Sequence, residues 1–182
     1  MKRLGFLLLF LPFALWAQEA EEHHEPVFHD HAEKHQLSLM LGHIYVPKAV
    51  NLENEESVGV ALPIWSLGYN YHLKEEWVLG LHVDVTVQSF EVRQSKDEAR
   101  LERSYPIAPV FVVGHRVFRH GVIVVGGGYE LETHENFAVA RAGFEWGYHF
   151  LEHMEVSAAI DYDYRFEAYD SFSLMFGVSY LW

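Results

Sequence analysis

Cysteine is absent from all 182 residues, so neither a disulfide framework nor a thiolate metal site can be built. Basic residues are scarce: 13 Lys and Arg stand against 26 Asp and Glu, a formal charge of −13. That balance excludes nucleic acid as a partner, because phosphate recognition needs clustered Lys and Arg. It suits a protein that attracts cations. Long apolar runs are missing as well. Past residue 17 no window approaches the roughly 18 continuous apolar residues of a membrane helix, although half of all residues are hydrophobic. If this chain enters a membrane, it does so as strands. The run Gly126-Gly127-Gly128 is followed by no helical pattern, which excludes a dinucleotide-binding loop.

The first 17 residues do hold a short apolar run. Met1-Lys2-Arg3 is a basic leader, and Leu4 to Trp16 is apolar apart from Gly5 and Pro12, which predicts a secretory signal peptide cleaved after Ala17. Leu15 stands where a smaller residue is preferred, so cleavage a few positions away is also compatible. No cysteine follows the run, so a lipoprotein is excluded. Losing residues 1–17 removes Lys2 and Arg3 and no acid, leaving 11 basic against 26 acidic residues. Residues 18–36 then mix Glu19, Glu21, Glu22, Glu25, Asp30 and Glu33 with His23, His24, His29, His31 and His35. Little here can be buried, and the plain reading is a disordered, solvated tail. The sharper reading is a ligand string for Zn²⁺, Cu²⁺ or Ni²⁺, because neutral imidazole is the commonest metal ligand and His-rich tracts collect such ions.

Residues 37–182 divide into eight extended segments of period two, about 37–46, 58–73, 77–90, 105–117, 121–133, 137–150, 154–166 and 171–182. Trp77 to Phe90 is typical: Leu79, Leu81, Val83, Val85 and Val87 oppose Gly80, His82, Asp84, Thr86 and Gln88. Pro63 interrupts the second segment and predicts a bulge or an exposed edge. Volume decides which face is inside. An eight-stranded barrel has a bore just wide enough for side chains to fill. Trp65, Tyr69, Tyr71, Trp77, Phe144, Trp146, Tyr148, Tyr180 and Trp182 exceed that space, whereas the Gly- and Ser-rich face with a few long charged residues fits it. The aromatic face therefore points outward into lipid, which requires a closed barrel, since no unpaired edge survives in hydrocarbon.

The final segment carries the pattern furthest, with Phe172, Leu174, Phe176, Val178, Tyr180 and Trp182 on one face and mostly small residues between them. Here the chain resembles the small eight-stranded outer-membrane β-barrels of Gram-negative envelopes, the OmpA/OmpX/OmpW-like group, from Gln36 to Trp182. The resemblance implies an all-β, antiparallel up-and-down transmembrane barrel, a monomer in the bacterial outer membrane with lipid as its surroundings. It implies that the final strand is read as a signal by the barrel-assembly machinery.

Connection lengths set the orientation. The turns at 74–76, 118–120 and 151–153 are short and predict the periplasmic end, while the longest connections, 47–57 and 91–104, predict the outer end. Tyr69, Tyr71, Trp77, Trp146, Tyr148, Phe150, Tyr180 and Trp182 then form an aromatic girdle at the periplasmic rim, with Trp65 further along the wall. Inside, His82, Asp84, Arg116, Glu130, Arg141, Glu145, Asp161, Asp163 and Arg165 predict a satisfied polar network. Interleaved opposite charges plug a small barrel more readily than they line a channel. His72 and His149 point into the lower lumen, where with the tail they predict a metal-binding mouth.

Two other classes compete. A narrow cation-selective pore would use the excess of carboxylates. An outer-membrane enzyme acting on lipid A or peptides would use rim residues such as Glu132, His134, Glu135, Tyr169, Asp170 and Ser171, but no catalytic motif supports it and no catalytic residue is assigned. The expectation is a non-catalytic outer-membrane barrel with a plugged lumen, structural or binding in role, with divalent metal at its periplasmic end.

Overall fold

The computed structural model describes residues 33–50, 59–94, 100–133 and 135–182. The expected signal segment, and the His-rich stretch as far as residue 32, lie outside the described residues. Alternating side chains and β-branched or aromatic residues give ten strands: β1 (His35–Val46), β2 (Val60–His72), β3 (Trp77–Thr86), β4 (Phe90–Arg93), β5 (Arg100–Arg103), β6 (Ile107–Phe118), β7 (Gly121–Glu130), β8 (Phe137–Leu151), β9 (Met154–Arg165) and β10 (Asp170–Leu181). Eight close into an antiparallel barrel in the order β1-β10-β9-β8-β7-β6-β3-β2. Among the described residues the short turns 73–76, 119–120 and 152–153 share one end, and the longer connections share the other.

The barrel shuts where β1 meets β10, in unbroken register from Gln36 opposite Leu181 to Tyr45 opposite Phe172. Two glycines permit the close approach. A Cβ on Gly42 would lie 2.0 Å from the Leu174 carbonyl oxygen, and one on Gly177 2.0 Å from that of Leu39. Pro63 sits in regular pairing opposite His43, without the bulge the sequence suggested. Its carbonyl accepts from Val87 N (3.1 Å), beyond the last paired residue of β3, so its missing N–H faces that side and no ladder bond is lost.

The stretch 91–104, expected as a loop, contributes most of a separate two-stranded hairpin. β3 ends at Thr86 rather than running on to Phe90, and β4 pairs with β5 from Phe90 opposite Arg103 to Arg93 opposite Arg100. The hairpin is joined to the β1–β2 connection by Val50 N to Glu91 O (2.9 Å) and Arg93 N to Lys48 O (3.1 Å). Its Phe90 and Val92 are buried with Ile44, Val46, Leu62, Ile64, Phe137, Tyr169 and Met175. Toward the long-connection end the interior therefore carries an apolar cluster beside its buried charges, where the sequence predicts mainly glycine, serine and charge. The inward faces of β6, β7 and β8 add Val110, Val112, Val124 and Val139.

Large rings and aliphatic chains cover the outside. Leu39, Trp65, Phe111, Val125, Ile160 and Phe176 are all about half exposed, a surface that water would not tolerate and acyl chains would. Among the described residues, two non-glycine residues, Tyr105 (φ 47°) and Glu167 (φ 63°), occupy the left-handed region, which disfavours L side chains by about 1–2 kcal/mol each.

Candidate functional site

Strict alternation on β3, β7, β8 and β9 turns Asp84, Glu130, Arg141, Asp161, Asp163 and Arg165 inward, and all are buried. Arg141 stands among three aspartates. It forms a two-pronged pair with Asp163 (Nε to Oδ1 and Nη2 to Oδ2, both 2.7 Å), donates Nη2 to Asp84, and lies 3.9 Å from Asp161. Planar guanidinium suits such forked pairing, and burial makes each contact far stronger than it would be in water. One oxygen each of Asp84 and Asp161 has no hydrogen-bond partner. Beside Asp161 is a small cavity lined by Ser38, Ser66, Asn70, His82 and Glu145, with room for roughly one water.

Arg165 carries the ladder on toward the long-connection end. It donates Nε to Glu130 and Nη1 to Ser171 Oγ (2.8 Å), and lies 3.8 Å from Asp163. Glu130 also accepts from Tyr169 (2.8 and 2.7 Å) and from Arg103 Nε (2.9 Å). Arg103, the last residue of β5, is fully buried; its Nη1 donates to the Glu135 carbonyl (2.7 Å) and its guanidinium lies 4.9 Å from the centre of the Phe137 ring. Burial pushes the Tyr169 phenol well above its ordinary pKa, so it stays a donor. Three of the rim residues considered for catalysis are thus tied into this cluster: Ser171 accepts from Arg165, Tyr169 serves Glu130, and Glu132 lies 3.6 Å from Arg103. His134 lies outside the described residues.

The opposite end is held by amides, hydroxyls and histidines together with Glu145 and Glu155. His82 Nε2 donates to Asn70 Oδ1 (3.0 Å) and lies 3.6 Å from Glu145, while Asn70 donates to Gln36 (3.2 Å) and Gln36 to Glu155 (2.9 Å). Ser38, Ser179 and Ser157 join by hydroxyl bonds of 2.8 and 2.7 Å. Arg116, expected in the internal network, instead spans two turns at the rim, donating to the carbonyls of Glu75 and Arg119 (both 2.9 Å).

Of the expected metal ligands, His23, His24, His29 and His31 lie outside the described residues. His35 Nδ1 is 2.7 Å from the Tyr69 hydroxyl and its ring stacks on Trp182. His149 lies 3.5 Å from Glu155, and His72 Nε2 is buried without a hydrogen-bond partner. Among the described residues no three His, Asp or Glu converge as a metal site.

No protein-family model matches the chain, and no curated protein sequence matches it. Solved structures do. The outer membrane protein OprG from Pseudomonas aeruginosa matches with a TM-score of 0.56 at 11% identity, covering 82% of this chain and 97% of OprG. Ail, the attachment invasion locus protein of Yersinia pestis, in complex with the heparin analogue sucrose octasulfate, gives 0.50 at 13% identity, covering 82% and 99%. This chain has the fold of the small outer-membrane β-barrels.

On that barrel the large aromatic residues point outward, as the alternation predicts. Tyr69, Trp77, Trp146, Tyr148, Tyr180 and Trp182 are exposed at the short-turn end, Tyr71 is partly covered, and Trp65 stands mid-wall opposite Leu41 and Val85. Phe172, Leu174, Phe176 and Val178 likewise face outward along β10. The cluster around Arg103 is what the sequence reading missed. Its one available signal was an arginine with valine and leucine in a stretch too polar to expect burial, Glu91 to Ser104.

Proposed function

We propose that the chain is a non-catalytic protein of the bacterial outer membrane whose bore is closed to diffusion. Its short-turn end and the preceding tail face the periplasm, and its role is structural or one of binding. The observation that carries this reading is the buried ladder Arg103–Glu130–Arg165–Asp163–Arg141–Asp84, capped by an apolar layer that includes Phe90 and Val92. Fixed charges paired side to side across a narrow bore leave no aqueous path. Planar-bilayer recordings of the purified barrel are expected to give no steady unitary steps. Large cation-selective steps would refute the closed bore.

Divalent transition metal is the ligand we assign to the periplasmic end. The support is the histidine-rich tract together with the unpartnered, buried Nε2 of His72 close to the start of β1. The tract at 18–36 carries five histidines of its own, and the ordering a ligand string undergoes on binding limits the affinity. Calorimetry with Zn²⁺ is expected to show binding by the mature chain that is lost when residues 18–32 are deleted. No heat at micromolar concentration would remove the metal from this reading.

A further inference from the structure

The β4–β5 hairpin belongs to none of the barrel ladders; it is a sheet of its own. Its strand backbone bonds run within the hairpin and to the β1–β2 connection. The barrel below it is complete: β3 pairs with β6 directly, from Trp77 opposite His115 to Val85 opposite Ile107. The hairpin could therefore leave without breaking the barrel ladder. Side chains hold it in place. Phe90 packs edge-on to Tyr169 (5.8 Å between centroids), Val92 is fully buried, and Arg103 reaches Glu130 at 2.9 and 2.6 Å.

An independent observation marks the same place. The two non-glycine residues in the left-handed region among the described residues both flank this fastening. Tyr105 follows Arg103 by two positions, and Glu167 precedes Tyr169 by two. Backbone held in a disfavoured region persists only where surrounding contacts impose it, and such strain gathers at clamps and switches. Both lie two positions from a partner of Glu130, which takes Arg103 from the hairpin and Tyr169 from the β9–β10 turn.

We propose that the β4–β5 hairpin is a displaceable cap on the long-connection mouth, fastened by Arg103 to Glu130 and hinged at Tyr105. Opening exchanges the buried pair for solvated groups and relaxes the backbone at the hinge, leaving the eight-stranded wall intact. The inference goes beyond the closed-bore reading, and its readout does not depend on conductance.

The lack of native cysteine makes a direct test clean. In detergent micelles, Val92→Cys is exposed to a polymer-linked maleimide, with Glu102→Cys, on the exposed side of β5, as the fast control. Val92→Cys is expected to react far more slowly than the control, through local opening. Adding Arg103→Gln is expected to speed it at least about tenfold, since Glu130 loses a buried partner. Adding Tyr105→Asn is expected to slow it about threefold, because asparagine tolerates the left-handed conformation that tyrosine resists. The closed-barrel gel band is expected to persist in every variant. Rates unchanged by both substitutions would overturn the proposal, as would labelling that rises only when the barrel band is lost. If Arg103→Gln gives no barrel, Tyr105→Asn decides: slower labelling supports the cap and an unchanged rate overturns it.

Discussion

Arg141 is the side chain on which the mid-lumen depends. Three buried aspartates face it, and Asp84 and Asp163 bond it directly. Arg141→Met keeps most of the volume but leaves those carboxylates uncompensated, so it is expected to destabilise the barrel by about 3–5 kcal/mol. Urea unfolding followed by tryptophan emission measures this; a loss below about 1 kcal/mol would show the aspartates to be satisfied by other means. Most of this cluster was legible in the sequence, because period two fixes the facing of every residue on a long strand once one face is assigned. Arg103 and Tyr169 were not. Arg103 ends a four-residue strand, too short for alternation to register, and Tyr169 sits in a turn, where no period applies.

Alternation predicts facing but does not say where a strand gives way to another sheet. The apolar residues of β3 lead on through Val87 to Phe90 without an obvious stop, yet the barrel strand ends at Thr86 and Phe90 opens the hairpin. The turn-in is set by tertiary contacts, chiefly burial of Phe90 and Val92 beneath the mouth, which local pattern does not carry. The β1–β10 pairing was better marked, since its small inward residues let the backbones close. Gly177→Val places a side chain where the Leu39 carbonyl oxygen already lies, and is expected to abolish the heat-modifiable band of the closed barrel. Gly127→Ala is the control: its Cβ would meet the Val139 carbonyl at an ordinary 3.4 Å, so the band is expected to survive. Equal behaviour of the two variants would show that strand approach at this junction is not limiting.

Across the molecule, the contrast between a ring-covered exterior and a hydrogen-bonded interior is the physical reason for a lipid environment. Trp65 stands mid-wall and more than half exposed, so Trp65→Lys puts a charge near the bilayer centre and is expected to cost about 2–4 kcal/mol in liposomes. The same substitution in a loosely packed detergent micelle is expected to cost much less; equal penalties in both would argue against lipid on that face. The closure itself carries a kinetic consequence. Ser38 and Ser179 share a hydroxyl bond although 141 residues separate them. A contact of that span is the last kind to form, because so much chain must first be gathered. Until it forms, the wall is a curled ribbon with two raw margins, each able to capture a stranger's strand. The molecule is thus most at risk during its making, before those margins meet and the ring is finished.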